Sequence, residues 1–471
     1  DLDGELDLVI KNINEKSFIL ENTSSEKEGF RYIKIKLRGD QKNPRAIGAK
    51  ISLWENGEER THFQSVIKGY LSSVEDGAFF GLTSKEIDSI KVTWPNGKVT
   101  KLDKVTSNQT LWLTISDADI PSKTKREPDY LFRTVPLEID LKYKEEYSNE
   151  FIFQHLLMTQ HSVRSPILAS VSQENSQKGY LFVGNSDNNT SQIWERTPEN
   201  TFAMVQEIET KFDVSDAVFF DYDGDQDMDL YVASGGNTAP SVSNTYQDRL
   251  FVNDGNGYFS YSERSLPNFL TATSSIEVSD FDRDGDMDVF VGANIVPHHY
   301  PSKPQSFILE NNNGQFSIKT TSVLEVLGMV KDAVWKDIDG DGWEDLIVVG
   351  DWMPIKMFKN EKGELKPFDS SFLDEKGRSI DTSGWFNTIA SGDFDGDKDI
   401  DFIVGNQGEN SFIRPTATHP VYIYTKDYDE NGSIDPLIGV FYDTEAGKKL
   451  LPLHSRDDVM KQLPVLKNRL N

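Results

Sequence analysis

An all-β chain built around a β-propeller of four-stranded blades is predicted by three observations. An acidic nine-residue loop recurs five times, apolar β-type stretches flank each copy, and a second hairpin signal follows. The loops begin at Asp221, Asp280, Asp337, Asp393 and Asp427, at intervals of 59, 57, 56 and 34 residues. A near-constant period carrying four strand-like stretches is the mark of radially repeated blades.

In chain order, Asp1-Leu2-Asp3-Gly4-Glu5-Leu6-Asp7 repeats positions 3 to 9 of that loop, and Leu8-Val9-Ile10 repeats the strand after it. Residues 1–30 are therefore expected to be the last-blade remnant of an upstream propeller. Residues 31–116 read as a small β domain, with strands at Tyr32–Leu37, Lys50–Trp54, Ile90–Trp94 and Thr110–Thr114 and a turn at Trp94–Lys98. Residues 117–150 read as a charged linker in which Pro121, Pro128 and Pro136 interrupt regular structure.

Residues 151–471 read as the propeller, expected to be seven-bladed and incomplete at its C-terminus. Only about six repeats are visible, and the last 34-residue interval is too short for a blade. In each full repeat a strand such as Ala217–Phe220 precedes the loop, and one such as Leu230–Ala233, Val289–Gly292, Leu346–Val349 or Phe402–Gly405 follows it. The later hairpin signals are Asn253–Gly257, Asn311–Gly314 and Asn360–Gly363. A degenerate first repeat spans about 166–215, where Tyr180–Gly184 matches the post-loop strand but Gln173–Ser176 replaces the acidic positions; no metal is expected there.

At 471 residues the chain is long enough for two or more domains with real cores. Its 49 basic against 77 acidic residues give a formal net charge of −28, which argues against nucleic acid or an anionic lipid surface as partner. The absence of Cys excludes disulfides, thiolate zinc sites and cysteine nucleophiles. No apolar run approaches the roughly 18 residues of a membrane span, and no basic-then-apolar signal segment opens the chain.

The acidity has a local cause. Carboxylates at loop positions 1, 3, 5 and 9, with a main-chain carbonyl at 7, can wrap one hard cation, and calcium accepts six to eight such oxygens. The candidate ligands are Asp221, Asp223, Asp225, Asp227 and Asp229; then Asp280, Asp282, Asp284, Asp286 and Asp288. Asp337, Asp339, Asp341, Trp343 and Asp345 follow, then Asp393, Asp395, Asp397, Asp399 and Asp401. The last set is Asp427, Asp429, Asn431, Ser433 and Asp435. Without a cation these carboxylates would repel one another. Gly at position 4 or 6 permits the tight turn.

An EF-hand shares the Asp spacing but needs Glu at position 12 and a following helix. Position 12 here is Val232, Val291, Val348, Val404 and Ile438, so a buried strand is expected instead. Magnesium, which demands a tight octahedron, suits the loops less well. About five structural calcium sites are therefore expected.

These loops resemble the FG-GAP or VCBS repeats of integrin α-subunit propellers. Asn43–Lys50, Phe80–Leu82, Val92–Lys98 and Asn108–Leu111 together resemble the ASPIC/UnbV domain of cartilage acidic protein and many bacterial surface proteins. Gly350–Pro354, Ser383–Asn387 and Gly405–Asn410 resemble long propeller proteins of Bacteroidetes surfaces, often lipoproteins. The resemblance implies a secreted or outer-membrane location and a protein or glycan partner at the cell surface.

No phosphate loop, nucleophile elbow or zinc helix is present, so no catalytic residue is assigned. His298-His299 reads as a surface loop, and Trp352, Trp385 and Tyr300 as packing residues or as aromatics exposed around a central channel. The stretch 456–470 could begin a helix interrupted at Pro464. Three functions stay open: a calcium-stabilised recognition or assembly module, a calcium-dependent polysaccharide lyase or hydrolase, and a subunit of an outer-membrane transport or secretion complex.

Overall fold

The protein is seen in a computed structural model that describes residues 6–12, 16–23, 29–67, 69, 75–118, 120–121, 132, 143–144, 148–162, 166–172, 179–186, 189–325, 327–368, 371–408, 411 and 413–468. Most of the expected linker and the Gln173–Ser176 stretch of the degenerate repeat lie outside these residues, as do Asp1–Glu5 of the expected remnant. The chain forms two compact units, residues 1–135 and 136–471, each taken by itself below. Among the described residues, no helix is long and apolar enough to cross a membrane.

The first unit opens with an antiparallel pair, β1 (Leu8–Ile10) and β2 (Phe18–Leu20). Eight further strands follow: β3 (Arg31–Arg38), β4 (Lys50–Glu55), β5 (Glu58–Phe63), β6 (Ala78–Leu82), β7 (Glu86–Thr93), β8 (Lys98–Thr106), β9 (Gln109–Thr114) and β10 (Ile120–Pro121). They make a five-stranded sheet of order β10-β8-β7-β4-β5 and a three-stranded sheet of order β6-β3-β9, in which β3 and β9 run parallel. Alternation along β3 buries Ile33, Ile35 and Leu37, and both sheets contribute to one core with Ile51, Leu53, Phe80, Ile90 and Val92. The Trp94–Lys98 turn closes with Gly97 at φ +80°, while the Trp94 ring is buried and its Nε1 donates to Thr100 Oγ1 (2.9 Å).

The second unit begins with three four-stranded antiparallel sheets. They are β11–β14 (Ile167–Ser172, Gly179–Gly184, Asn189–Arg196, Phe202–Thr210), β15–β18 (Asp213–Phe220, Asp229–Gly235, Arg249–Asn253, Phe259–Tyr261) and β19–β22 (Ala272–Ser279, Asp288–Ile295, Phe307–Asn312, Gln315–Lys319). After a short helix α1 (Ser322–Glu325) comes a fourth set, β23–β26 (Met329–Lys336, Asp345–Met353, Lys356–Asn360, Leu365–Pro367). A fifth has two strands, β27 (Gly384–Gly392) and β28 (Asp401–Asn406).

The unit is a β-propeller, and its second strands show why their sequences are apolar on both faces. In β16, Leu230 and Val232 pack with blade one while Tyr231 and Ala233 pack with blade three. In β24, Leu346 and Val348 meet Phe290 of blade three, and Ile347 and Val349 meet Phe386 and Ile389 of blade five. The position that an EF-hand would give to a ligating Glu is thus a core position: Val232, Val291 and Val348 are fully buried.

The chain then departs from expectation. The Asp427 loop, counted in sequence with the propeller repeats, joins β29 (Tyr422–Lys426) to β30 (Asp435–Thr444), which pairs with β31 (Gly447–Pro452) in a separate three-stranded sheet. The apolar side of this sheet, with Ile423, Ile438 and Val440, packs on Met158, Trp352 and Trp385. The short 34-residue interval has a simple cause. Among the described residues, blade five passes into this sheet after its second strand, with no outer hairpin of strands between the two loops. Five blade units exist among the described residues, and the expected seventh is not among them. A helix α2 (Arg456–Gln462) follows, capped by Ser455 and ended ahead of Pro464.

Neighbouring blades are also tied by carboxylates on their first strands. Asp216 Oδ2 accepts the Ile276 amide (2.9 Å), and Asp332 Oδ2 accepts the Ile389 amide (2.9 Å) and the Thr388 hydroxyl (2.8 Å). Asp332→Ala is expected to cost about 1–3 kcal/mol in urea unfolding. Amide exchange should accelerate first in Gly384–Gly392.

Candidate metal centres

Each acidic loop is a turn between the first and second strands of its sheet. Positions 4 and 6 both have positive φ in every copy, whatever residue occupies them. Position 4 is Gly224, Arg283, Gly340, Gly396 or Glu430, and position 6 is Gln226, Gly285, Gly342, Lys398 or Gly432. The turn therefore imposes left-handed backbone on four non-glycine residues, an arrangement that needs external support.

Part of that support comes from position 1, whose carboxylate gathers backbone amides. Asp221 accepts from Gly224 (2.8 Å) and Gln226 (2.9 Å), Asp337 from Gly340 (2.8 Å) and Gly342 (2.9 Å), and Asp393 from Gly396 (2.7 Å) and Lys398 (3.2 Å). Asp427 does the same with Asn431 (3.1 Å) and Gly432 (2.8 Å). Position 5 accepts the amide of position 7 in all five loops: Asp225 from Asp227, Asp284 from Asp286, Asp341 from Trp343, Asp397 from Asp399 and Asn431 from Ser433.

These bonds converge the acidic groups. Ligand atoms of Asp280, Asp282 and Asp288 lie within 4.8 Å of one another, as do those of Asp337, Asp339 and Asp345, of Asp393, Asp395 and Asp401, and of Asp427, Asp429 and Asp435. In the first loop the convergent set is Asp221, Asp223 and Asp225. The side chains of Asp227, Asp229, Asp284, Asp286, Asp341, Asp397 and Asp399, and of Trp343, Asn431 and Ser433, stand outside these triads. Asp286 instead accepts the Asn313 amide (2.7 Å).

Four buried carboxylate oxygens in the loops have no hydrogen-bond partner: Asp227 Oδ1, Asp280 Oδ1, Asp288 Oδ2 and Asp429 Oδ1. A buried, unpaired carboxylate oxygen is costly unless a cation meets it. Burial, reinforced by neighbouring carboxylates, pushes Asp227 up to about 6 and Asp229 and Asp288 to about 7. Asp345 and Asp435 are raised for the same first reason. The donor set, all oxygen and strongly acidic, fits a hard divalent cation. In the third copy Lys359 pairs with Asp339 and with Asp341 (3.0 Å), so an ion entering there displaces an ammonium group.

Position 9 has a partner that sequence reading passed over. The Asn opening each later hairpin reads in sequence only as a turn residue, yet it is buried and holds the acidic loop. Its backbone amide donates to the position-9 carboxylate: Asn253 to Asp229 (2.8 Å), Asn311 to Asp288 (2.7 Å) and Asn360 to Asp345 (2.8 Å). Its Nδ2 donates to the position-8 carbonyl, at Met228, Met287 and Glu344. Asn311 and Asn360 also reach back to the position-2 carbonyl of the preceding loop, Tyr222 and Phe281, each at 2.7 Å. The signal was present as an Asn opening the hairpin after each of these three loops, 24, 23 and 15 residues beyond position 9.

The same pairing recurs in the first unit, where the Asn22 amide donates to Asp7 Oδ1 (3.0 Å) and its Nδ2 to the Leu6 carbonyl (3.4 Å). Blade five has no third strand among the described residues, and Asp401 retains only the inner bond from the Phe394 amide (2.8 Å). In the separate sheet Gln462 of α2 takes the place of the Asn, donating to Asp435 Oδ1 (2.8 Å).

Residues 39–120 match the family model described as ASPIC and UnbV, and residues 221–291 and 337–404 match FG-GAP-like repeats. The chain therefore carries an ASPIC/UnbV domain followed by FG-GAP-like repeats. No curated protein matches. Solved structures with a similar fold include a fucose-specific lectin from Aleuria aurantia, at 9% identity over 90% of this chain and 95% of that one, TM-score 0.31. They also include a thermostable family-43 glycoside hydrolase (10% identity, 63% and 95% covered, TM-score 0.30) and a β-fructofuranosidase from Schwanniomyces occidentalis (10%, 62% and 61%, TM-score 0.30).

Asn360→Ala keeps the backbone donor to Asp345 but strips the Nδ2 donor from the Glu344 and Phe281 carbonyls and the Oδ1 acceptor from the Gly363 amide, and is expected to cost about 2–4 kcal/mol in denaturant unfolding. A second expectation concerns pH. Because Asp227, Asp229 and Asp288 are raised in the folded chain, the metal-free fold binds more protons than the unfolded chain between about pH 4 and pH 7. Its stability falls as pH rises through that window, so the Tm of chelated protein should be higher near pH 5 than near pH 7.

Proposed function

We propose that the five acidic loops bind calcium, that the ions are structural, and that the chain serves as an extracytoplasmic recognition or assembly module at a cell surface. The reading is carried by one observation: convergent carboxylate triads in all five loops, with buried oxygens lacking partners in four places. Positions 1, 3 and 9 supply the carboxylates, position 5 the further oxygen, and position 7 its main-chain carbonyl.

A structural role fits the placement. Four of the loops occupy equivalent turns of successive blades, and Asn311 and Asn360 each tie the loop of the preceding blade to their own. An ion in one loop therefore stiffens two blades. The FG-GAP-like repeats and the ASPIC/UnbV match support a surface location and a protein or glycan partner.

Removing calcium with a chelator should lower the Tm steeply, since each site contributes about 2.7 kcal/mol at a hundredfold excess of ion over its Kd. An unchanged Tm would overturn the proposal. Calorimetric titration should count five ions in the intact chain and four in Asp345→Ala. The Asp393 loop, lacking an Asn partner for Asp401, should fill last.

A further inference from the structure

The first unit separates its charges by sheet. Strands β3, β6 and β9 carry Arg31, Lys34, Lys36 and Arg38 and no Asp or Glu, in a chain whose net charge is −28. In the other sheet, β5 and β7 carry Glu58, Glu59, Glu86 and Asp88. The alternation that turns Ile33, Ile35 and Leu37 into the core sets Tyr32, Lys34, Lys36 and Arg38 on the opposite face of β3. Successive side chains in that row stand about 7 Å apart.

Aromatic rings flank the row on both neighbouring strands. Register with β9 sets Trp112 beside Lys36, and its half-exposed ring meets the Arg38 guanidinium (4.5 Å to the centroid) and the Lys36 ammonium (5.5 Å). On the other side Tyr32 stacks on Phe79 of β6, with centroids 5.7 Å apart and planes 11° from parallel. Arg38 forms no ion pair with any described residue. Lys34 and Lys36 share one partner: Glu75 sets Oε2 on Lys34 Nζ (2.6 Å) and Oε1 on Lys36 Nζ (2.7 Å). The two ammonium groups thus converge on a single carboxylate, one on each oxygen, and hold it below the usual carboxylate range.

We infer that this face binds a carboxylate-bearing polysaccharide, its acid groups on Arg38 and, in place of Glu75, on Lys34 and Lys36, with a sugar ring against the exposed part of Trp112. The inference deepens the recognition reading above and rests on it for its setting. Charge complementarity carries it: three cations face one carboxylate on a surface free of other acidic strand residues, in a chain that is otherwise acidic. The Glu75 side chain is 55% exposed, and so open an ion pair yields readily to an incoming carboxylate. The Arg38 guanidinium, stacked through its plane, keeps its edge for a bidentate acid group. A nucleic acid strand, charged at every phosphate, is opposed more strongly by the rest of the chain than a glycan whose charges are spaced out.

The test uses the intact chain with calcium present and hyaluronan oligosaccharides as the carboxylated probe. Dextran serves as the neutral probe, oligothymidylate as the phosphate probe and polyglutamate as the acidic peptide. Hyaluronan should bind saturably and more weakly as NaCl is raised. Arg38→Ala and Lys36→Ala should each weaken it about fivefold with the Tm unchanged, as loss of one exposed ion pair predicts. Trp112→Ala should weaken it as well, Glu75→Gln should tighten it, and Lys448→Ala, on the second unit, should leave it unaltered. No binding of hyaluronan, binding indifferent to the Arg38, Lys36 and Trp112 variants, or equal binding of dextran, oligothymidylate or polyglutamate would overturn the proposal. Hyaluronan binding in a protein whose Tm ignores chelation would overturn the calcium reading and leave this one standing.

Discussion

Crowded carboxylates at the turn between first and second strands are the constraint on which the propeller depends. Each loop sets like charges within a few ångströms and shields some of them from water, where repulsion is strongest. The blades cannot relax this by spreading, because position 12 is locked into the core by a valine or isoleucine. Loop charge and inter-blade packing are two ends of the same strand.

The buried Asn of the third strand connects those ends. It offers its amide to the position-9 carboxylate and its side chain to two carbonyls, one belonging to the previous blade. Register between blades is thus read from polar atoms, while the apolar faces supply most of the burial. Where no such Asn stands among the described residues, the carboxylate either has fewer partners, as at Asp401, or is met by a residue from elsewhere, as Gln462 meets Asp435.

Much of this was legible in the chain. Period-two alternation gave Ile33, Ile35 and Leu37 their common face, and doubly apolar second strands gave the stacked blades, because both patterns report local periodicity directly. The acidic loops announced the clustering of their carboxylates by spacing alone. The Asp427 loop was misjudged because its spacing pattern matches the others, and only tertiary packing on Trp352 and Trp385 separates its sheet from the ring. The burial of Glu150, which accepts three hydrogen bonds, was hidden for a related reason. A lone Glu in a charged stretch resembles solvent-facing linker, and its partners His161, Ser162 and Asn237 stand up to 87 residues away.

The two-stranded fifth blade has a consequence for behaviour in concentrated solution. Among the described residues no strand pairs with the outer edge of β28, and Ile403 is 57% exposed on that strand, so the edge is a template for strand pairing between molecules. A net charge of −28 holds copies apart at low ionic strength. Five divalent ions would remove ten of those charges while tightening the fold. Such ions would therefore move thermal stability and colloidal stability in opposite senses.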